Sequence, residues 1–379
     1  MLQSGELDLP TILPGQSSLL ELPKNLHPYS HPAEIYLTIS FRLRDATAWA
    51  DAFHEVAWFQ HQVSAPKSLL LSQSSNRLLT RPLVESSHTA ISLTGHDWTI
   101  RFDRIRGYLT AWVAGGASLL ESDSSTRPAM VPGFWRPPTD NDYPVALPYW
   151  KNYGLDAMTS QLQSFHEEPC AEDSDSVRVH AHTFMAPPSL DWGYHVFTTY
   201  TISPSGSIAV RAKFEPTGSM PKHVPRIGFD VQVNKQLQEA RWFGLGPGEA
   251  YPDKKDAQSV GIWAVPTIAD LQTRYDVPQE CGNRMETRWV TMTSTSGVGL
   301  RASSATPFNW QASRYSSQTI ENSKHPCDFI GQEDKITLLR LDCHVAGVGT
   351  AACGPGPRED KLVHTKATEF QFKLERIIL

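Results

Sequence analysis

His195–Phe214 reads HVFTTYTISPSGSIAVRAKF, and this stretch decides the fold. Two runs of strand pattern, His195–Ile202 and Ser207–Phe214, flank a break of Ser, Pro, Ser and Gly, residue types that punctuate turns. The pattern continues outward in both directions. Toward the N-terminus lie Val177–His182 (VRVHAH), Tyr108–Val113 (YLTAWV), Asp97–Phe102 (DWTIRF), Glu55–Val63 (EVAWFQHQV) and Ala33–Leu43 (AEIYLTISFRL). In the last of these Ile35, Leu37, Ile39 and Phe41 share one face, as period-2 alternation requires. Toward the C-terminus follow Arg226–Val233, Thr287–Met292, Gly297–Ala302, Lys335–His344 and Glu369–Ile378. Helical pattern is scarce: Pro148–Ser160 and Thr267–Gln272 are candidate short helices, and Asp45–Phe53 a candidate helical turn. Many short strands bounded by turn residues predict an all-β chain, a sandwich or a closed antiparallel architecture.

Composition narrows the function classes. The chain has 379 residues and a net charge of −6, with no long like-charge run, so a basic footprint for nucleic acid is absent. No apolar run approaches the ~18–20 residues of a membrane span. The opening MLQSGELDLP has neither the basic nor the apolar region of a secretory signal. Five cysteines (Cys170, Cys281, Cys327, Cys343 and Cys353) form no C-x-x-C pair or metal-ligand spacing, and no N-x-S/T acceptor occurs. A reducing compartment, and so a cytoplasmic location, is the expectation. Eleven Trp stand out. They can fill a core or stack on sugars, and composition does not separate the two.

The Ser-rich stretch Ser64–Ser87 reads as an ordered linker. Residues 1–63 before it hold three or four strands' worth of pattern, too little for an independent sandwich. Residues 88–379 after it suffice for one large β domain.

Five segments carry a family likeness: Gly133–Pro144 (GFWRPPTDNDYP), Pro225–Phe229 (PRIGF), Trp242–Lys254 (WFGLGPGEAYPDK), Asp270–Arg288 (DLQTRYDVPQECGNRMETR) and Gly347–Gly354 (GVGTAACG). In this order and spacing the chain resembles the C-terminal portion of the β-galactosidases of glycoside hydrolase family 2, the small-chain domain. Residues 37–60 (LTISFRLRDATAWADAFHEVAWFQ) resemble the end of the sandwich that precedes it. The fold this resemblance implies is a partial immunoglobulin-like β-sandwich followed by a large galactose-mutarotase-like supersandwich. The activity it implies is hydrolysis of terminal β-D-galactosides. The family performs it with two glutamates on a barrel, and retaining chemistry needs two carboxyl groups about 5–5.5 Å apart. Such a barrel takes about 250 residues of alternating strand and helix. Neither the barrel nor its glutamate motifs match here, so no catalytic residue is assigned. The Mg²⁺ and Na⁺ usual in the family sit mainly on the barrel, and no cofactor or metal is carried over. The implied partner is a barrel-containing chain or an oligomer of this one.

Four places could meet a sugar. Cys353 lies where the best-known family members carry a platform Trp, so its loop either completes a sugar site or is a Gly-rich turn with an inert thiol. Cys cannot stack as Trp does. Glu280, Asn283 and Arg284 (PQECGNR) could line a sugar-sized cup with donors and acceptors. The competing reading, favoured because such loops often satisfy themselves, is a turn with Asn283 in the left-handed region and Arg284 paired to Glu280. Glu249, with Tyr251 and Asp253, could form an interface or sugar loop. The alternative is a turn held by Asp253 and Lys254. Trp135, Arg136, Asp140, Asn141 and Asp142 lack the Gly and distal Glu of a calcium loop and read as a packing segment. The histidines, His180 and His182 among them, show no metal pair with a third ligand, and no G-x-S-x-G elbow occurs.

Three functions remain in view. The first is a part or small subunit of a β-galactosidase. The second is a free carbohydrate-binding module. The third is a mutarotase-type enzyme using Glu280 and a histidine as proton relay.

Overall fold

The computed structural model describes residues 3–22, 34–64, 80–122, 128–170 and 175–378. The chain divides into two compact units, Met1–Leu69 and Leu70–Leu379. In the first, β1 (Ile35–Arg42) pairs antiparallel with β2 (Glu55–Ser64). These are the two strands among its described residues. Asp45–Phe53 is not helical but a loop of bends and a turn, in which Thr47 Oγ1 accepts from the Ala50 amide at 3.2 Å. Phe41, Val56, Phe59 and Val63 on the two strands are exposed.

The second unit contains β3 (Leu83–Ser86), β4 (Ala90–Thr94), β5 (Trp98–Asp103), β6 (Tyr108–Ala114), β7 (Ala117–Glu121) and β8 (Met130–Gly133), then α1 (Ala146–Asn152). Next come β9 (Thr159–Pro169), β10 (Val177–Ala186), β11 (Trp192–Ile202), β12 (Ile208–Gly218), β13 (His223–Val224), β14 (Arg226–Asn234), β15 (Glu239–Gly246) and β16 (Ser259–Val265). The chain closes with β17 (Arg284–Thr293), β18 (Val298–Ser313), α2 (Ser317–Asn322), β19 (Ile336–Val345), β20 (Val363–His364) and β21 (Thr368–Ile378). The all-β expectation holds.

Pairing is antiparallel throughout. One sheet runs β9–β10–β11–β12–β21–β18. The other runs β3–β4–β5–β6–β7, continues through β14, which also takes β8, and reaches β19 and β18. The 16-residue β18 serves both: Val298–Ser303 pair with β21, and Asn309–Ser313 pair with β19. β17 lies along β18, and β15 and β16 extend from it.

His195–Phe214 lies within the β11–β12 hairpin, in register from Trp192↔Gly218 to Ile202↔Ile208. Gly206 makes its turn at φ +79, where a Cβ would sit 2.6 Å from the Trp98 ring, so both the backbone and the space require glycine. Alternation on β10 buries Val177, Val179, Ala181 and Met185 and turns His180, His182 and Phe184 to the other face. The buried faces of the two sheets meet through aromatic rings. Phe134 stacks on Tyr194 at 4.6 Å, Phe102 meets Tyr200 at 5.0 Å, and Phe229 meets Phe372 at 5.5 Å. The Trp excess is largely core: Trp112, Trp150, Trp192, Trp242 and Trp310 are fully buried.

The predicted helix Pro148–Ser160 is shorter than its pattern. α1 ends at Asn152, Gly154 takes φ 65, one 3-10 turn follows at Leu155–Ala157, and Thr159 already begins β9. Thr267–Gln272 is a 3-10 turn, Ile268–Leu271, capped by the Thr267 side chain. Most of the predicted linker Ser64–Ser87, residues 65–79, lies outside the described residues. Its end, Leu83–Ser86, is strand β3, not linker.

Candidate functional site

Separated segments of the chain converge on the loop 347–354. Asp253, just past the Gly246–Gly248 turn, accepts from the amides of Val348 at 2.9 Å and Gly349 at 2.8 Å. A Cβ on Gly347 would stand 2.5 Å from the Asp253 carboxylate, so the approach depends on glycine. Asn141 holds the other side: its Nδ2 donates to Gly349 O at 2.9 Å and its Oδ1 accepts from Ala352 N at 3.0 Å. The neighbouring Asp140 exchanges two hydrogen bonds with Gln279. Three sequence segments, around residues 140, 253 and 279, thus meet at this loop or beside it. Cys353 is exposed at its tip. The expected Asp253–Lys254 clasp is not formed, because Asp253 belongs to the loop and Lys254 to Glu249.

Glu249 is buried and fully engaged. Its Oε1 accepts from Lys254 Nζ and Tyr275 Oη, each at 2.5 Å, and its Oε2 from Thr273 Oγ1 at 2.7 Å and Gly282 N at 2.8 Å. Burial opposes its charge, but these donors outweigh burial and hold the carboxyl below its ordinary value of 4.5. The ionised form therefore stabilises the fold above about pH 4.5, and this contribution is lost as pH falls through the lower folded-state value. The Glu249→Gln protein is expected to be less stable than the parent at pH 7. The gap should narrow in urea titrations at pH 3, and a gap unchanged between the two would contradict this reading.

Glu280, Asn283 and Arg284 come together, but as a buried network and not in the pairing foreseen. Glu280 is 4% exposed. It accepts from Arg340 Nη1 at 2.8 Å and Tyr251 Oη at 3.3 Å, not from Arg284. Among the described residues its hydrogen-bond partners are Arg340 and Tyr251 and not a histidine, so the proton relay of the mutarotase reading is not assembled there. Asn283 donates to Ala250 O at 2.7 Å, and its carbonyl accepts from Ala250 N at 2.8 Å. The left-handed residue of the turn is Gly282, at φ +79, not Asn283. Arg284 donates to Gly282 O at 2.8 Å and lies over the Trp242 ring at 5.3 Å. With no carboxylate in contact, burial lowers its guanidinium to about 10.

Beneath this network sit two more buried arginines. Arg136 is paired in bidentate fashion with Asp142, at 2.6 and 3.2 Å. Arg226 donates to Asp342 at 2.5 Å, to Trp135 O at 2.8 Å and to Asp230. Burial opposes the Arg226 charge, and Asp230 and Asp342 more than restore it.

One grouping of potential metal ligands escapes the spacing argument. Spacing along the chain offered no histidine pair with a third ligand, yet across β9 and β10 the fold brings His166, Glu168 and His180 together, with ligand atoms within 4.8 Å of one another. Sequence spacing misses such a set because its members lie on neighbouring strands.

Two family models match the chain. The one described as "Beta galactosidase small chain" spans residues 94–374, and "Beta-galactosidase, domain 4" spans residues 1–64. The β-galactosidase of Kluyveromyces lactis is 27% identical over 341 residues, 88% of this chain and 31% of that one. The β-galactosidase 2 of Enterobacter cloacae is 26% identical, over 99% of this chain and 35% of that one. The chain therefore spans about a third of the length of these relatives. The crystal structure of galactose 1-epimerase from Lactobacillus acidophilus overlaps 76% of this chain and 93% of its own at 9% identity, with a TM-score of 0.41, too low to bear on function. No helix among the described residues is long and apolar enough to cross a membrane.

Proposed function

Because the chain belongs to the β-galactosidase small-chain family, we propose that it supplies the C-terminal third of an enzyme hydrolysing terminal β-D-galactosides, and is inactive alone. The observation that carries this reading is the loop 347–354, held from two sides by Asp253 and Asn141 and leaving Cys353 exposed. Cys353 faces the sugar in this reading. Glu249, Glu280, Asn283 and Arg284 act from inside, fixing the ground on which the loop stands. The catalytic carboxylates and any metal they need come from a barrel-containing partner, either a separate chain or another part of a longer one, and copies of this chain can add further contacts.

The domain division follows the same logic: residues 1–63 a partial sandwich, then a linker that ends before β3 (Leu83–Ser86), which pairs with β4 and belongs to the supersandwich. A cytoplasmic location accords with five free cysteines.

The experiment is an assay of a chromogenic β-galactoside with the chain alone, then mixed with the barrel-containing remainder of the enzyme. Expected are no turnover above buffer alone, turnover in the mixture, and loss of that turnover when residues 350–356 are replaced by two glycines. Turnover by the chain alone would overturn the proposal.

A further inference from the structure

The outer face of the β9–β10 ladder carries the one grouping of His, Cys, Asp or Glu side chains among the described residues that could jointly hold a metal ion. His166 stands directly opposite His180 in the register, and Glu168 is two residues farther along β9. The two imidazoles stack at 4.7 Å with planes 18° apart. His180 Nε2 lies 3.1 Å from Glu168 Oε1, and its Nδ1 lies 3.1 Å from Thr199 Oγ1 on β11. His166 and Glu168 are exposed and His180 half-buried, so an ion can reach them from solvent.

We propose that His166, Glu168 and His180 form a binding site for a divalent transition-metal ion of the zinc type. Two imidazoles and a carboxylate are a donor set that suits Zn²⁺, with water in the remaining position. Tetrahedral bonds of about 2.0–2.1 Å put ligand atoms roughly 3.3 Å apart. The His180–Glu168 pair already has that separation. His166 must close by rotation of an exposed side chain. Thr199 supports the site from behind: holding Nδ1 of His180 leaves Nε2 for the ion and fixes the ring plane. Arg178 stands opposite Glu168 in the ladder, and a second cation beside the carboxylate would hold the affinity to micromolar rather than structural-zinc strength. The ion would bridge β9, whose strand partner among the described residues is β10 alone, to that neighbour, and binding only the folded form would raise the melting temperature by mass action.

The test uses the full chain with Cys327 and Cys353 changed to Ser, which removes the exposed thiols as competing ligands. Zn²⁺ alone is titrated by calorimetry and by competition with a chromogenic chelator, and Co²⁺ binding is followed by visible absorption. One site per chain is expected, with a raised melting temperature in Zn²⁺. Its affinity should fall at least about tenfold in the His166→Ala/His180→Ala double variant and about tenfold in Thr199→Val. If the double variant is not folded by circular dichroism, Glu168→Gln serves in its place with the same expected loss. Binding no tighter than about 100 μM overturns the site. So does undiminished binding in the double variant, or a loss produced by His182→Ala instead.

Discussion

Arg226→Met is expected to lower the unfolding free energy by about 3–5 kcal/mol, the usual result of removing one member of a buried ion pair. Asp342 would be left 2% exposed with its strongest donor gone. Trp135 O would lose its 2.8 Å partner as well. Methionine replaces much of the volume, so the loss reports charge and hydrogen bonding and not a cavity. The same guanidinium joins β14 to β19 and to the segment that carries Arg136 and Asn141. The damage should therefore spread to the loop 347–354. Urea unfolding gives the first quantity, and amide exchange at Val348, Gly349 and Ala352 gives the second. A shift below about 1 kcal/mol would mean that Asp342 finds another partner and that Arg226 does not anchor β14 to β19.

Glu280→Ala is expected to cost a similar amount, about 3–5 kcal/mol, because it leaves Arg340 buried beside a vacated site and Tyr251 Oη without its acceptor. The conservative Glu280→Gln keeps the shape and one acceptor and should recover part of the loss. This pair separates two roles for a residue that the sequence offers either as a sugar contact or as part of a self-satisfied turn. If Glu280 acts from inside, activity in the assembled enzyme should follow folded fraction, and KM for a galactoside should stay unchanged in Glu280→Gln. A KM raised tenfold or more in a fully folded Glu280→Gln protein would instead mean direct contact with substrate.

The fold was legible where strands bury one face. The β11–β12 hairpin and β10 alternate apolar and polar residues with the sheet's own period, and the sequence displays that directly. β9 was not legible. TSQLQSFHEEP is exposed or half-exposed along its whole length, so no apolar period marks it, and a helix was read into its first residues. β3 was hidden inside a polar Ser-rich stretch for the same reason.

The site was legible as a set of segments and illegible as a set of partners. Asn141 and Gly349 lie 208 residues apart, Arg226 and Asp342 lie 116 apart, and Glu280 and Arg340 lie 60 apart. Sequence proximity suggested Arg284 for Glu280 and Lys254 for Asp253. Burial decided otherwise, since the low-dielectric interior rewards whichever opposite charge the sheets deliver with good geometry. The cross-strand histidines illustrate the same limit on a solvent-facing surface.

The long strand β18 has a consequence for how the molecule avoids misassembly. A strand that slips by one residue exchanges the inward and outward sets of side chains in its layer. Here Val298–Ser303 and Asn309–Ser313 are one continuous segment committed to two layers. A slip against β21 would expose Leu300 and Ala302, and carried along the strand it would also expel Trp310 and Ala312 from the packing beside β19. A slip carried through the irregular stretch between Ser303 and Phe308 would therefore be opposed by both layers at once.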